Sequence, residues 1–187
     1  KKQEEYKIDD AIKIGQRFFG ENRVQEAIQR WENRIKDYND IELRLIGPLQ
    51  TNKVKQALKI FNIIETIDRE KLAKSISDNI DDNIKTKSFY IQVNTGDEVQ
   101  KAGVPALEAN NFIEFCKNDL SLPIIGLMCI PPENEEPAMH FSLLRKLAIK
   151  NNLIELSMGM SNDFEEAIKF GATSVRIGSK FFGDRKY

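Results

Sequence analysis

At 187 residues, with 41% hydrophobic and 30% charged side chains, the chain has ordinary globular composition and enough length for a substantial core. Its formal net charge of −1 argues against a broadly basic surface for nucleic acid or an anionic membrane. No run of residues reaches the apolar length that spans a bilayer. Cys116 and Cys129 stand apart in apolar settings without a CxxC spacing, which predicts reduced core thiols in an intracellular, cytoplasmic protein. His140 is the single histidine, which argues against a zinc or histidine-based catalytic site.

The chain starts at Lys1-Lys2-Gln3 without Met and with no signal-peptide pattern, and this start is not expected to be the native one. Apolar spacing predicts a helix over 8–14 ended by Gly15, then a short strand over 16–20 whose end carries Glu21 and Asn22. A helix from about 23 to 36 and a strand over 41–46 follow. Gly47-Pro48 leaves that strand, with Pro48 well placed to open a helix over 49–59. A strand over 62–66 comes next, and Asp68 caps a helix that runs to 80. Residues 87–94 are rich in aromatic and branched side chains and read as a strand. A long exit loop, 95–105, leads to a helix over 106–118, a strand over 123–127 and a helix over 135–151.

The last stretch is the most informative. Residues 153–156 form a short apolar run that Ser157-Met158-Gly159-Met160-Ser161 is expected to break. Asn162 and Glu165 have capping-box spacing before a helix through Phe164, Ala167, Ile168 and Phe170, and Gly171 suits its C′ position. Residues 174–177 form another strand, and Gly178-Ser179 leads into a final helix. Seven strands each followed by a helix imply a parallel sheet in one domain spanning 1–187. An odd count with a helix in front predicts a TIM-type (β/α)8 barrel whose first strand is missing from this sequence. Ser161 and Gly178-Ser179 then sit at the ends of the last two strands, where such barrels often hold phosphate. The same spacing also fits two ordinary strand-to-helix turns, and Asp163, Glu165 and Glu166 would repel a phosphate if they faced it.

The motifs carry a resemblance from one end of the chain to the other. Phe19-Gly20-Glu21-Asn22-Arg23-Val24-Gln25-Glu26, Ile46-Gly47-Pro48-Leu49-Gln50-Thr51-Asn52-Lys53 and Gln92-Val93-Asn94-Thr95-Gly96 occur in order. Gln100-Lys101-Ala102-Gly103, Gly126-Leu127-Met128-Cys129-Ile130-Pro131-Pro132, Leu156 through Asp163, and Val175-Arg176-Ile177-Gly178 with Phe182-Gly183 follow. Together they resemble the pyridoxal-phosphate homeostasis protein family, single-domain relatives of the alanine racemase barrel.

The resemblance implies a protein that binds pyridoxal 5'-phosphate (PLP) and acts in vitamin B6 and amino-acid homeostasis with little or no turnover. PLP-dependent apo-enzymes are the partners it suggests, and a monomer the expected state. It implies a Schiff-base lysine at Lys1, with Lys2 the register-shifted alternative. The phosphate would be held by the Ser161 hydroxyl and the N–H groups of Gly178 and Ser179. Arg176 would face the pyridine nitrogen, and Asn22 the ring or its 3′-oxygen. Arginine never gives up its proton, so it would leave that nitrogen unprotonated and the ring a weak electron sink. Arg176 alternatively reads as a strand-end arginine paired with a carboxylate. The other functional reading is a PLP-dependent amino-acid racemase. Against it, the chain ends soon after the last strand and none of Tyr6, Tyr38, Tyr90 and Tyr187 lies in an acid/base motif. Arg44 departs from the family pattern, which often has His there; its effect depends on whether it faces the cofactor or the helices. Asn52, Lys53, Asn94 and Lys101 are candidates for the mouth, or simple turn chemistry.

Overall fold

The computed structural model describes residues 3–98 and 100–183; Lys1 and Lys2 lie outside the described residues. Its strands are β1 (Phe18–Glu21), β2 (Glu42–Leu45), β3 (Ile63–Ile67), β4 (Ser88–Asn94), β5 (Val104–Pro105), β6 (Ile124–Met128), β7 (Glu155–Met160) and β8 (Ser174–Arg176). All pair in parallel, in the order β1-β2-β3-β4-β6-β7-β8, with the short β5 added to β4. Helices alternate with them: α1 (Glu5–Lys13) precedes β1, and α2 (Val24–Trp31) with α3 (Arg34–Asp37) follows it. Then come α4 (Val54–Ile60), α5 (Glu70–Ser77), α6 (Ala109–Glu114), α7 (Pro137–Lys150), α8 (Phe164–Lys169) and α9 (Ser179–Phe182). This is a nearly closed TIM-type barrel; among the described residues no ladder joins β8 to β1.

Strand alternation sorts the side chains into two sets. Leu43, Leu45, Ile64, Phe89, Ile91, Leu127, Leu156 and Met158 turn outward and join the helices in one continuous core. Trp31, Phe61 and Phe141 are among its largest fully buried members, and each such side chain contributes about 1.5–3 kcal/mol of transfer free energy. The alternate residues Ile63, Tyr90 and Met128 pack as a second, smaller cluster inside the barrel. Polar side chains share that interior, and they shape the site described below.

Helix α1 is tied to the helices that follow the first and the last strand of the sheet order. On one side the Lys7 ammonium donates to the Phe182 carbonyl at 2.9 Å. On the other, Arg30 donates to Glu5 at 3.0 Å, and Arg34 donates to Glu5 and Asp9 at 2.7 Å each. The hydrogen bond from Arg34 holds Asp9 below its usual value; burial raises Glu5, but Arg30 and Arg34 outweigh it and hold Glu5 low as well. A depressed folded-state pKa stabilises above the unfolded value, and the benefit fades as pH falls through the folded one. A Glu5→Gln/Asp9→Asn variant should therefore lose about 1 kcal/mol or less at neutral pH. Denaturant titrations should show that deficit vanishing as pH falls below the carboxylate range.

Three local expectations are corrected. Residues 157–160 do not break the strand: β7 runs through Met160. It accommodates Gly159 at φ +91° with a register shift between Ser157 and Met160, so a small-residue run that reads as a turn is a kinked strand end. The Asn162–Glu165 capping box does not form either. Asp163 occupies the N-cap of α8, and its carboxylate accepts from the Met160 N–H at 2.6 Å. The 95–105 loop holds a strand, β5, making eight strands in place of seven. Gly171 does end α8 as expected, at φ +91° with its N–H on the Ile168 carbonyl.

Candidate functional site

The C-terminal ends of β7 and β8 bring two of the sequence candidates together. The Gly178 N–H donates to the Ser161 hydroxyl oxygen at 3.3 Å, and Ser179 opens α9 beside them, exposed. Gly178 has φ −118°, outside the left-handed region. A β-carbon there would meet nothing within 4 Å among the described residues. Among the described residues, no packing contact requires glycine at this position. The Asp163 carboxylate is turned to the Met160 N–H.

Arg176, on β8, reaches into the barrel. It donates to the Ser157 hydroxyl and to the Cys129 carbonyl, both at 2.7 Å. Among the described residues it forms no ion pair, so the reading of a strand-end arginine paired with a carboxylate does not hold. Burial lowers the guanidinium from its usual value, against Glu65, Cys129 and Asp163, which raise it. Two of its five N–H groups are engaged by these bonds.

Behind Arg176 lies a chain of polar groups that sequence reasoning missed. The Ser157 hydroxyl donates to Glu65 Oε2 at 2.6 Å, and Arg44 donates to Glu65 Oε1 at 3.1 Å. Arg44 also donates to Glu42 at 2.6 Å. Arg44 thus faces the barrel interior, yet Glu42 and Glu65 compensate its charge. Glu65 is 1% exposed and Ser157 is wholly buried. The readable signal was a lone carboxylate inside the apolar run Ile63-Ile64-Glu65-Thr66-Ile67. Ser157 was hidden because its segment reads as a turn. Deeper still, the Tyr90 hydroxyl lies 3.4 Å from Glu155 Oε2, and burial raises its pKa, which keeps it a donor at neutral pH.

The remaining candidates lie around the same mouth or beyond it. Asn22 follows β1, and its backbone packs so tightly on Gly47 that a β-carbon there would lie 2.3 Å from the Asn22 carbonyl oxygen. Asn94 and Lys101 both engage Glu98, Asn94 through a 2.9 Å bond to its carbonyl. Asn52 and Lys53 fall in a single 3-10 turn ahead of α4. Cys116 and Cys129 are buried and free, their thiols pushed up to about 12 by burial. His140 is buried too, its Nδ1 3.1 Å from the Thr95 carbonyl and hydroxyl oxygens and its Nε2 3.2 Å from Glu135.

A family model described as "Alanine racemase, N-terminal domain" matches residues 8–186. The barrel overlays an alanine racemase of Clostridium difficile with a TM-score of 0.74 over 96% of this chain and 48% of that one, at 12% identity, a likeness of fold alone. Much nearer in sequence is the pyridoxal phosphate homeostasis protein of Aquifex aeolicus, 43% identical over 192 residues, covering 96% of this chain and 82% of that protein. The solved structure of PipY from Synechococcus elongatus, with PLP bound, is 32% identical with a TM-score of 0.88, covering 98% and 89%. The chain belongs to the pyridoxal phosphate homeostasis protein family, a branch of the alanine racemase N-terminal-domain barrels.

Proposed function

We propose that this chain binds pyridoxal 5'-phosphate at the mouth formed by β7 and β8 and serves in PLP and amino-acid homeostasis. The observation that carries the reading is the open space in front of Gly178, whose N–H already points to the Ser161 hydroxyl. A glycine that no described packing contact needs is explained by a ligand that approaches the backbone closely. The donor set fits the cofactor: a hydroxyl and backbone N–H groups suit a phosphate, and a donor-only guanidinium suits an unprotonated ring nitrogen.

In this reading Ser161, Gly178 and Ser179 hold the phosphate, Arg176 faces the pyridine nitrogen and Asn22 lies toward the ring. Bound, the cofactor supplies an aldehyde that the amine of Lys1, or of Lys2, can take as a Schiff base. Arg176 keeps the ring nitrogen from being protonated, which leaves the ring a poor electron sink and favours retention over turnover. Apo-enzymes as recipients and a monomeric state complete the proposal. Among the described residues no helix is long and apolar enough to cross a membrane.

Absorbance titration with PLP tests this reading. Wild type should bind with a band distinct from free cofactor. Gly178→Ala should keep its stability within about 0.5 kcal/mol yet bind PLP at least tenfold more weakly, since the added methyl fills the phosphate's approach. Equal affinity in the two proteins, or no binding by wild type, contradicts the reading. Steady-state assays with D- and L-alanine separate a carrier, which should show no turnover, from a racemase.

A further inference from the structure

The geometry points to Glu65 as a positioning residue that acts on the cofactor site through Ser157 and Arg176; this inference rests on the proposed PLP reading. Glu65 sits on β3, across the barrel from β8, and its carboxylate is divided between two partners. Oε1 accepts from Arg44 at 3.1 Å and Oε2 accepts from the Ser157 hydroxyl at 2.6 Å. Ser157 in turn accepts from Arg176 Nη1 at 2.7 Å.

The direction of this chain is forced. A guanidinium only donates and a carboxylate only accepts, so the one group able to do both, the Ser157 hydroxyl, must aim its proton at Glu65 and its lone pairs at Arg176. The carboxylate therefore fixes the rotor of a fully buried hydroxyl and strengthens its acceptance from Arg176. Without the carboxylate, the Ser157 hydroxyl still has lone pairs for Arg176, but its rotor is no longer fixed and the bond weakens. The Cys129 carbonyl is then left as the firmer anchor of Arg176. The interior also balances in charge: Glu42 and Glu65 offset Arg44 and Arg176. Glu65 thus serves Arg44 and Arg176 together, from the far side of the barrel from β8.

Two roles must be told apart, neutralising Arg44 and orienting Arg176. Arg44→Met/Glu65→Met removes the first need together with the carboxylate, so loss of orientation is what remains. PLP affinity by absorbance titration and the apoprotein's melting temperature are measured for wild type, Ser157→Ala, the Met pair and all three changes together. The Met pair should keep the melting temperature but bind PLP roughly tenfold more weakly, as expected for a lost charge-assisted hydrogen bond. In the Ser157→Ala background the same pair should change affinity by less than about twofold, because the link is already cut. Glu65→Gln, which keeps the shape, provides a second route should the Met pair not fold, with the same dependence on Ser157. Unchanged affinity in the Met pair, or an equal loss with and without Ser157, overturns the inference while leaving the PLP reading intact. A wild-type protein that binds no PLP overturns the reading itself, and the role of Glu65 with it.

Discussion

Glu65→Met alone is expected to destabilise the protein by about 3 kcal/mol, the lower end of the cost of breaking a buried ion pair. The substitution strands Arg44 with Glu42 as its remaining carboxylate and leaves the Ser157 hydroxyl without its acceptor. The desolvated positive charge left in excess, Arg44 and Arg176 against Glu42, sets that magnitude more than the lost attraction. Adding Arg44→Met should recover most of it, because a buried ion pair exchanged for packed apolar side chains is commonly neutral or stabilising. Urea denaturation of the single and paired variants checks this. A paired variant as unstable as the single one would mean that the carboxylate contributes through something other than its pairing with Arg44.

Gly159→Ala is expected to be strongly destabilising for a one-methyl change. The residue has φ +91°, a conformation that costs a side-chain-bearing residue roughly 1–3 kcal/mol. The added β-carbon would also lie 2.6 Å from the Ala167 β-carbon and 3.0 Å from the Phe164 α-carbon. Overpacking of that kind costs roughly another 1–3 kcal/mol. Relief requires α8 to move off β7, and Ser161, in the connection between them, would be displaced from the Gly178 N–H. Gly159→Ala should therefore lower both stability and PLP affinity. Gly159→Ala/Ala167→Gly should regain the part of the packing cost due to Ala167 and leave the contact with the Phe164 α-carbon and the backbone strain. Chemical denaturation and PLP titration of the two variants read the parts separately.

The barrel was legible because its signals are local and repeated. Seven apolar strand patterns alternate with helical spacing, and glycine or proline marks several of the exits. The pairing of Ser161 with Gly178 was readable for the same reason, since each lies at a strand end beside a turn. Ser157 was not, because Gly159 and the methionines around it imitate a turn, and only the contact with α8 explains a glycine inside β7. Glu65 left one trace, a charge in an apolar strand, but its partners come from β2 and β7, and no local pattern encodes contacts across a barrel. Arg44 shows the same limit. Its type was visible, whereas its inward direction and its compensation by Glu42 and Glu65 depend on strand order. The two-residue β5 falls below the length at which alternation can be seen at all.

Borohydride reduction of the protein with PLP, followed by peptide mapping, tests the central claim most directly. The proposed site predicts reduced cofactor trapped on the peptide that carries Lys1 and Lys2, lost when the amine is removed by Lys1→Ala/Lys2→Ala, and weakened in Gly178→Ala. Cofactor trapped on no peptide, or trapped undiminished in the Lys1→Ala/Lys2→Ala variant, would contradict it, and the open space at Gly178 would then belong to a different anion.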